Sequence, residues 1–346
     1  MSFSDLKTGV NLGGWISQYS EYSKKHFANF ITEKDLEKIA SWGLDHVRLP
    51  VDAPVLMEEQ TGSEELNFKE EGFSYIDRCI EWCKKLQLNL VLDLHRAPGY
   101  SFSTPEENSL FSDQNMGDKF VSLWEYITER YHSEGDFLIF ELLNEVVEEK
   151  EAWNNLACRT IDALRQIDEK RKIIFGGMNY NAVSSLKHIR LMKEDPHVIY
   201  TFHFYQPFLF THQKASWNDL TSKMKFKVRY PGPMNELENF VVENPETEEL
   251  FGDHVGRVLD KSLLKDLLKP AKQFQKETDC ELYCGEYGVI DQAPQESRVN
   301  WYRDFTEIME ELAIPRTAWS YKEMNFGLVD ENSQVVDPEI IKIISS

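Results

Sequence analysis

The feature that most restricts the fold is an alternation running the length of the chain. Apolar runs of strand length, at 8–14, 46–50, 88–94, 137–140, 172–175, 198–202, 281–285 and 316–319, are interleaved with stretches of helical apolar spacing. One helix opens at Thr32 and Asp35, which read as a capping box, with Leu36, Ile39 and Ala40 on its inner face. Others carry the stripes Ile76, Cys79, Ile80, Cys83, Leu86 and Phe120, Leu123, Trp124, Ile127, Tyr131. Further stripes run through Trp153, Leu156, Ala157, Ile161, Leu164 and through Trp301, Phe305, Ile308, Met309, Leu312, and 338–344 reads as a closing helix. Strand then helix, repeated eight times, predicts an α/β fold of parallel strands closed into a (β/α)8 TIM barrel, a single domain over 1–346.

One interval breaks the rhythm. Between Tyr205 and Glu281 lies far more chain than one crossover helix requires. It holds Phe208, Phe210, His212 and Trp217, a polar stretch with Pro231 and Pro233, an acidic run over 236–249, and a returning helix over 263–276. A long insertion after a barrel strand sits on the catalytic face. The expectation is a helical insertion after strand 6, with 206–262 forming an inserted subdomain that walls one side of a cleft.

Composition removes several classes of partner. A net charge of −21 repels phosphate backbones and anionic membranes, so neither nucleic acid nor membrane is an expected partner. A neutral polysaccharide is indifferent to that charge, and 12% aromatic residues suit a sugar-stacking cleft. The five cysteines are odd in number and do not read as a disulfide framework; Cys79 and Cys83 lie on a helical stripe and read as core, and Cys280 and Cys284 flank a strand. No Cys/His set has metal-ligand spacing, so neither a metal nor any other cofactor is expected. The N-terminal residues show no signal-peptide pattern, which leaves a cytoplasmic protein, one exported by another route, or one whose leader has been removed.

The C-terminal ends of barrel strands form the face where chemistry collects. Here those ends carry Arg48, His95, Asn144, Glu145, His203, Tyr205, Glu286 and Trp319, with Trp15 at the mouth of the first strand. Each alone has an ordinary reading: a lone histidine at a strand end is usually structural, and a glutamate is a surface residue by default. Glu141, Glu148 and Glu149 keep that default. The joint occurrence carries the signal, because barrel closure makes these side chains converge. Two glutamates at separate strand ends are the equipment of glycosidic bond cleavage.

The segments Gly9-Val-Asn-Leu-Gly-Gly-Trp15, His46-Val-Arg-Leu-Pro50, Leu92-Asp-Leu-His95, Leu142-Leu-Asn-Glu145, Phe202-His-Phe-Tyr205, Gly285-Glu-Tyr-Gly288 and Ala318-Trp319 resemble, in order, those of glycoside hydrolase family 5. The wording around Trp15 and Phe210 is similar to compact bacterial endoglucanases with an inserted subdomain. The resemblance implies a retaining mechanism, with Glu145 as acid/base and Glu286 as nucleophile. It further implies Arg48 and Tyr205 as supports of Glu286, and His203 beside the acid/base. Asn144 would contact the sugar 2-hydroxyl, His95 the same ring, and Trp319 its apolar face. Arg96 departs from many relatives, which carry a second His or an Asn there, and is left out of the site.

The leading reading is a monomeric endo-β-1,4-glucanase acting on β-glucan polysaccharide or oligosaccharide. Within the same chemistry stand β-1,3- or mixed-linkage glucan and β-mannan. From other classes stand a non-catalytic sugar-binding barrel and a metal-dependent hydrolase. The first is disfavoured by the presence of both glutamates, and the second by the absence of a His-x-His on the first strand.

Overall fold

The computed structural model describes residues 6–58, 66–147, 150–233, 236–248 and 256–346. Glu148, Glu149 and the last residue of the acidic run 236–249 lie outside them. Eight parallel strands close into a barrel: β1 (Thr8–Asn11), β2 (His46–Asp52), β3 (Asn89–Arg96), β4 (Leu138–Glu141), β5 (Ile173–Gly176), β6 (Val198–Phe204), β7 (Leu282–Tyr287) and β8 (Arg316–Ala318). Helices fill the outer layer, among them Glu33–Ser41, Glu70–Leu86, Gln114–Arg130, Lys150–Arg165 and Gln295–Leu312.

Side chains alternate between two cores, and this alternation places the site. Leu6, Val91, Ile139, Ile174, Ile199 and Tyr283 form a small apolar cluster that plugs the barrel floor. Their neighbours Leu90, Leu92, Leu138, Phe140, Ile173, Phe175, Val198 and Tyr200 belong to the larger core. A strand repeats every two residues, so the inward positions above the floor are Asp93 and His95 on β3, Glu141 on β4, and Thr201 and His203 on β6.

β7 departs from simple alternation. Cys284 pairs with Phe202, but the next pair on the β6 side is Glu286 with His203, and the register toward β8 shifts at the same place. Gly285 is the extra residue of a β-bulge, and the bulge turns Glu286 onto the inward side. A Cβ on Gly285 would stand 3.1 Å from both His203 Nε2 and Thr201 Oγ1, so the bulge packs tightly against β6.

Three local expectations are corrected. Pro50 does not stop β2, which continues to Asp52. On the β1 side Leu12 N–H donates to the Arg48 carbonyl at 2.8 Å and Asp52 N–H to the Ile16 carbonyl at 2.9 Å, so the pairing bridges the one position where proline supplies no N–H. The returning helix is two helices, Lys261–Leu267 and Lys269–Thr278, parted at Leu268; Pro270 in the first turn of the second cannot continue an i−4 ladder. Trp15 is fully buried rather than at the barrel mouth; it donates Nε1–H to the Phe27 carbonyl at 2.7 Å and stacks on Trp82.

The described residues of 206–262 hold the short helical pieces Phe208–Thr211, Thr221–Lys223, Leu237–Glu243 and Pro245–Thr247, and a two-residue antiparallel pairing of Gly232–Pro233 with Val258–Leu259. Tyr230 ties the segment to the barrel layer by donating to Asp304 Oδ2 at 2.8 Å.

The helix Glu70–Leu86 meets the turn Ala53–Leu56 that follows β2 at a backbone contact. A Cβ on Gly72 would fall 1.9 Å from the Val55 carbonyl oxygen. Gly72→Ala is therefore expected to destabilise by about 1–3 kcal/mol despite alanine's better helix propensity. Urea unfolding measures this, and an unchanged or raised midpoint would contradict the close approach.

Candidate active site

A single buried cation organises the top of the barrel. Arg48 on β2 is fully buried and presents its guanidinium to residues of four other strands and of the turn after β4. Nε and Nη2 donate to the two oxygens of Glu141 at 2.7 and 3.0 Å, the forked geometry that a planar guanidinium favours. Nη1 donates to Glu286 Oε1 at 2.8 Å and to Asn11 Oδ1 at 2.9 Å. Nη2 also reaches Asn144 Oδ1 at 2.9 Å and lies 3.0 Å from Asp93 Oδ2. Burial disfavours the charge, but Asp93, Glu141 and Glu286 more than offset it, and the guanidinium holds its proton far above the ordinary range.

These contacts aim the neighbours. Asn11 donates Nδ2–H to the Gly285 carbonyl at 3.0 Å, so Arg48 and Asn11 together clamp the bulge that carries Glu286. Asn144 has its oxygen committed to Arg48, which leaves Nδ2 without a hydrogen-bond partner among the described residues. Asp93 accepts from His95 Nδ1 at 2.7 Å, and Nε2 of that ring has no partner among the described residues. The indole of Trp319 lies parallel to His95, at an interplanar angle of 3° and 5.7 Å between centroids.

The two glutamates sit in different surroundings. Glu286 accepts from Arg48 and, through Oε2, from the Tyr205 hydroxyl at 2.8 Å. Glu145 follows β4 on a turn in which its own φ is +45°, a left-handed conformation uncommon outside glycine. Tyr100 braces that turn, donating to the Glu145 carbonyl at 2.9 Å and accepting the Val147 N–H at 3.0 Å. The Glu145 carboxyl meets His203 Nδ1 at 2.8 Å, and the same nitrogen is 3.6 Å from Glu286 Oε2. One oxygen of each glutamate and one His203 nitrogen lie within 4.8 Å of one another.

Burial pushes the Glu145 carboxyl up to about 8; the charges of Asp93 and Glu141 add to this, and Arg48 opposes it. Burial also raises Glu286, and the Glu145 charge adds to this, against His203 and Arg48. Among the described residues Glu286 has a cation and a phenol donating to it, whereas Glu145 has an imidazole beside it. His203 is pushed down to about 4 and His95 to about 3, both chiefly by burial, so both rings are neutral near pH 7. Asp93 is pushed up to about 7 by burial, with Arg48 opposing. Glu145, His203 and Glu286 are close enough together to meet a cation, but their oxygens and the imidazole nitrogen already serve one another, Arg48 and Tyr205. The arrangement handles protons and one negative charge.

All eight expected side chains therefore converge. Glu145, His203, Glu286, Tyr205, Arg48 and Asn144 are joined by direct contacts, His95 enters through Asp93, and Trp319 through its parallel ring contact with His95. Glu141 is corrected: it is wholly buried and forked to Arg48, not a surface residue. Asp93, Asn11 and Asn181 complete the set that the sequence reading passed over. Asp93 was within reach, since Val91, Asp93 and His95 share one strand face. Glu141 was not, because β4 is otherwise apolar and its inward side cannot be told from its outward one. Arg96 is partly exposed and lines a cavity of about 240 Å³ beside Tyr100, Glu107 and Lys119.

A catalytic-face pair of carboxyls held this way is the equipment of a glycoside hydrolase, and comparison with known proteins places it. A family model for Cellulase (glycosyl hydrolase family 5) matches residues 7–325, and the chain belongs to that family. It is 45% identical over 98% of both chains to a protein named Endoglucanase C from Acetivibrio thermocellus. It is 35% identical to Cellodextrinase A of Ruminococcus flavefaciens over 89% of this chain and 83% of that one. The solved structure of an endoglucanase from the hyperthermophilic Thermotoga maritima has the same fold, with a TM-score of 0.79 at 23% identity over 99% of this chain and 97% of that one.

Removing one partner of a buried ion pair strands the other. Glu141→Ala deprives Arg48 of its forked acceptor and is expected to cost about 3–5 kcal/mol. Equilibrium unfolding in urea reads this directly, and a loss under about 1 kcal/mol would mean that Asp93 and Glu286 alone satisfy the guanidinium.

Proposed function

We propose that the chain is an endo-acting β-1,4-glucanase that cleaves by double displacement, with Glu286 as nucleophile and Glu145 as acid/base. The observation that carries this reading is the spacing of the two carboxyls. Oxygens within 4.8 Å of each other fit the separation of about 5–5.5 Å at which retaining enzymes hold their carboxyl groups, rather than the roughly 6.5–9.5 Å of inverting ones. Family membership and the endoglucanase names of the similar proteins support the glucan substrate.

The residues then take these parts. Ionised Glu286, aimed by Arg48 and Tyr205, attacks the anomeric carbon and forms a glycosyl ester. Protonated Glu145 gives its proton to the departing glycosidic oxygen. Now anionic, Glu145 takes a proton from water, which attacks the anomeric carbon and releases Glu286. The uncommitted Nδ2–H of Asn144 offers a donor to the 2-hydroxyl, and His95 Nε2 a lone pair to a neighbouring hydroxyl. Trp319 gives the apolar face of the sugar a ring to stack on.

Segment 206–262, read as an inserted unit, lines one side of the cleft in this account. Tyr205 packs against His212 and Phe326, and Trp217 packs against those same two rings while 53% exposed. The aromatic run thus leads outward from the nucleophile, as a polymer-binding wall requires. Product sizing on a panel of soluble glucans and mannan tests the linkage and the endo action; release of monosaccharide alone, or preference for laminarin or mannan, would overturn this substrate reading.

The assignment of roles yields two expectations. Glu145→Ala should lose far more turnover on cellodextrins than on aryl cellobiosides with good leaving groups, which need little protonation; equal losses would remove Glu145 from the acid role. Glu286→Ala should be inactive on both substrates, with azide restoring turnover of the aryl glycoside as a product of inverted anomeric configuration. If azide gave no product, or product of retained configuration, Glu286 would not be the nucleophile.

A further inference from the structure

We propose that Asn181 is a positioning residue that fixes the tautomer of His203, and thereby the oxygen of Glu145 that carries the catalytic proton. This rests on Glu145 being the acid/base. Asn181 is fully buried, and its Nδ2 lies 3.4 Å from His203 Nε2. It is the last of three consecutive residues, Asn179, Tyr180 and Asn181, with φ of +54°, +58° and +52°. Asparagine tolerates the left-handed region singly, but three such residues in a row, with a tyrosine among them, need packing to hold them. Two contacts do. The Asn181 side chain lies over Gly176, where a Cβ would fall 2.4 Å from Oδ1, and Tyr180 N–H donates to the Val146 carbonyl at 3.2 Å. The kink is thus fastened both to the end of β5 and to the turn that carries Glu145.

The chemical consequence follows from the bookkeeping of one imidazole. A neutral ring has one N–H and one lone pair. With the Asn181 amide donating to Nε2, the proton must sit on Nδ1, and Nδ1–H donates to Glu145 Oε1. That oxygen is then an acceptor, so a protonated Glu145 carries its hydrogen on Oε2. In the opposite tautomer Nδ1 would accept, and the Glu145 proton would be drawn toward His203 and away from a leaving group. The Nδ1–H donor also receives Glu145 as an anion once the proton has gone. Other charged or titratable groups facing this pair are Glu286, Arg48, Glu141, Asp93, His95, Tyr205 and Tyr180. None of them hydrogen-bonds to Nε2 among the described residues, which leaves Asn181 to set the ring.

Two substitutions that tolerate a left-handed backbone separate the effect from folding. Asn181→Asp places a carboxylate against Nε2, so His203 holds both protons and donates more strongly to Glu145. The alkaline limb of kcat/KM on cellodextrins should move down by about one pH unit, since a favoured anion means a lower pKa. Asn181→Gly frees the ring, weakens the donor and should move that limb up. Long-range proton–nitrogen NMR should find the wild-type proton on Nδ1. A proton on Nε2, or limbs that coincide in all three proteins while their unfolding midpoints match, would overturn the assignment. Failure here is separable from failure of the acid/base role. If Glu145→Ala shows the leaving-group dependence while the Asn181 variants keep the wild-type limb, only Asn181 is displaced.

Discussion

One guanidinium, wholly removed from water, ties the barrel's top together. Stripping solvent from Arg48 is expensive, and the cost is tolerable only because its donors meet oxygens on β1, β3, β4, β7 and the turn after β4. A lysine could not replace it, since a point charge on a flexible stem cannot fork to Glu141 while also holding Asn11 and Glu286. The same contacts that satisfy the cation decide where Glu286 points and which end of Asn144 faces the cleft. Stability and site geometry are here a single set of interactions.

The environment, not the residue type, distinguishes the two glutamates. Glu286 lies beside Arg48 and Tyr205, whereas Glu145 stands across from it on a strained turn with a neutral histidine. Once one carboxyl is ionised, its charge opposes ionisation of the other, so the pair titrates as a unit with its two protons well separated. Burial sharpens the separation by removing the water that would screen it. Strain at Glu145 and at residues 179–181 fits this picture: both kinks lie where side chains must be delivered off the regular strand positions.

Much of this was legible in the sequence because a barrel converts linear order into a ring. Knowing that His95, Asn144, Glu145, His203, Glu286 and Trp319 lie at or just past strand ends, with Arg48 on a neighbouring strand, was enough to bring them to one mouth. What stayed hidden depended on parity and on local irregularity. Strict alternation from Tyr283 would send Glu286 outward; the bulge at Gly285 reverses it, and a lone glycine does not announce the change. Glu141 ends an apolar strand whose two faces look alike, so its burial was invisible. Asn181 lies on a short kinked connection with no periodicity, and its role exists only through His203, which is distant in the chain. Pro50 misled for the converse reason: a proline ends a strand only where a neighbouring strand needs its N–H.

The claim on which the account stands is that the pocket protonates Glu145 and leaves Glu286 ionised. Carbon-13 NMR titration of glutamate δ-carboxyls, assigned with Glu145→Gln and Glu286→Gln, observes both groups directly. The account predicts that Glu286 is charged through the neutral range and that Glu145 loses its proton near pH 8. A charged Glu145 beside a protonated Glu286 at pH 6 would contradict it.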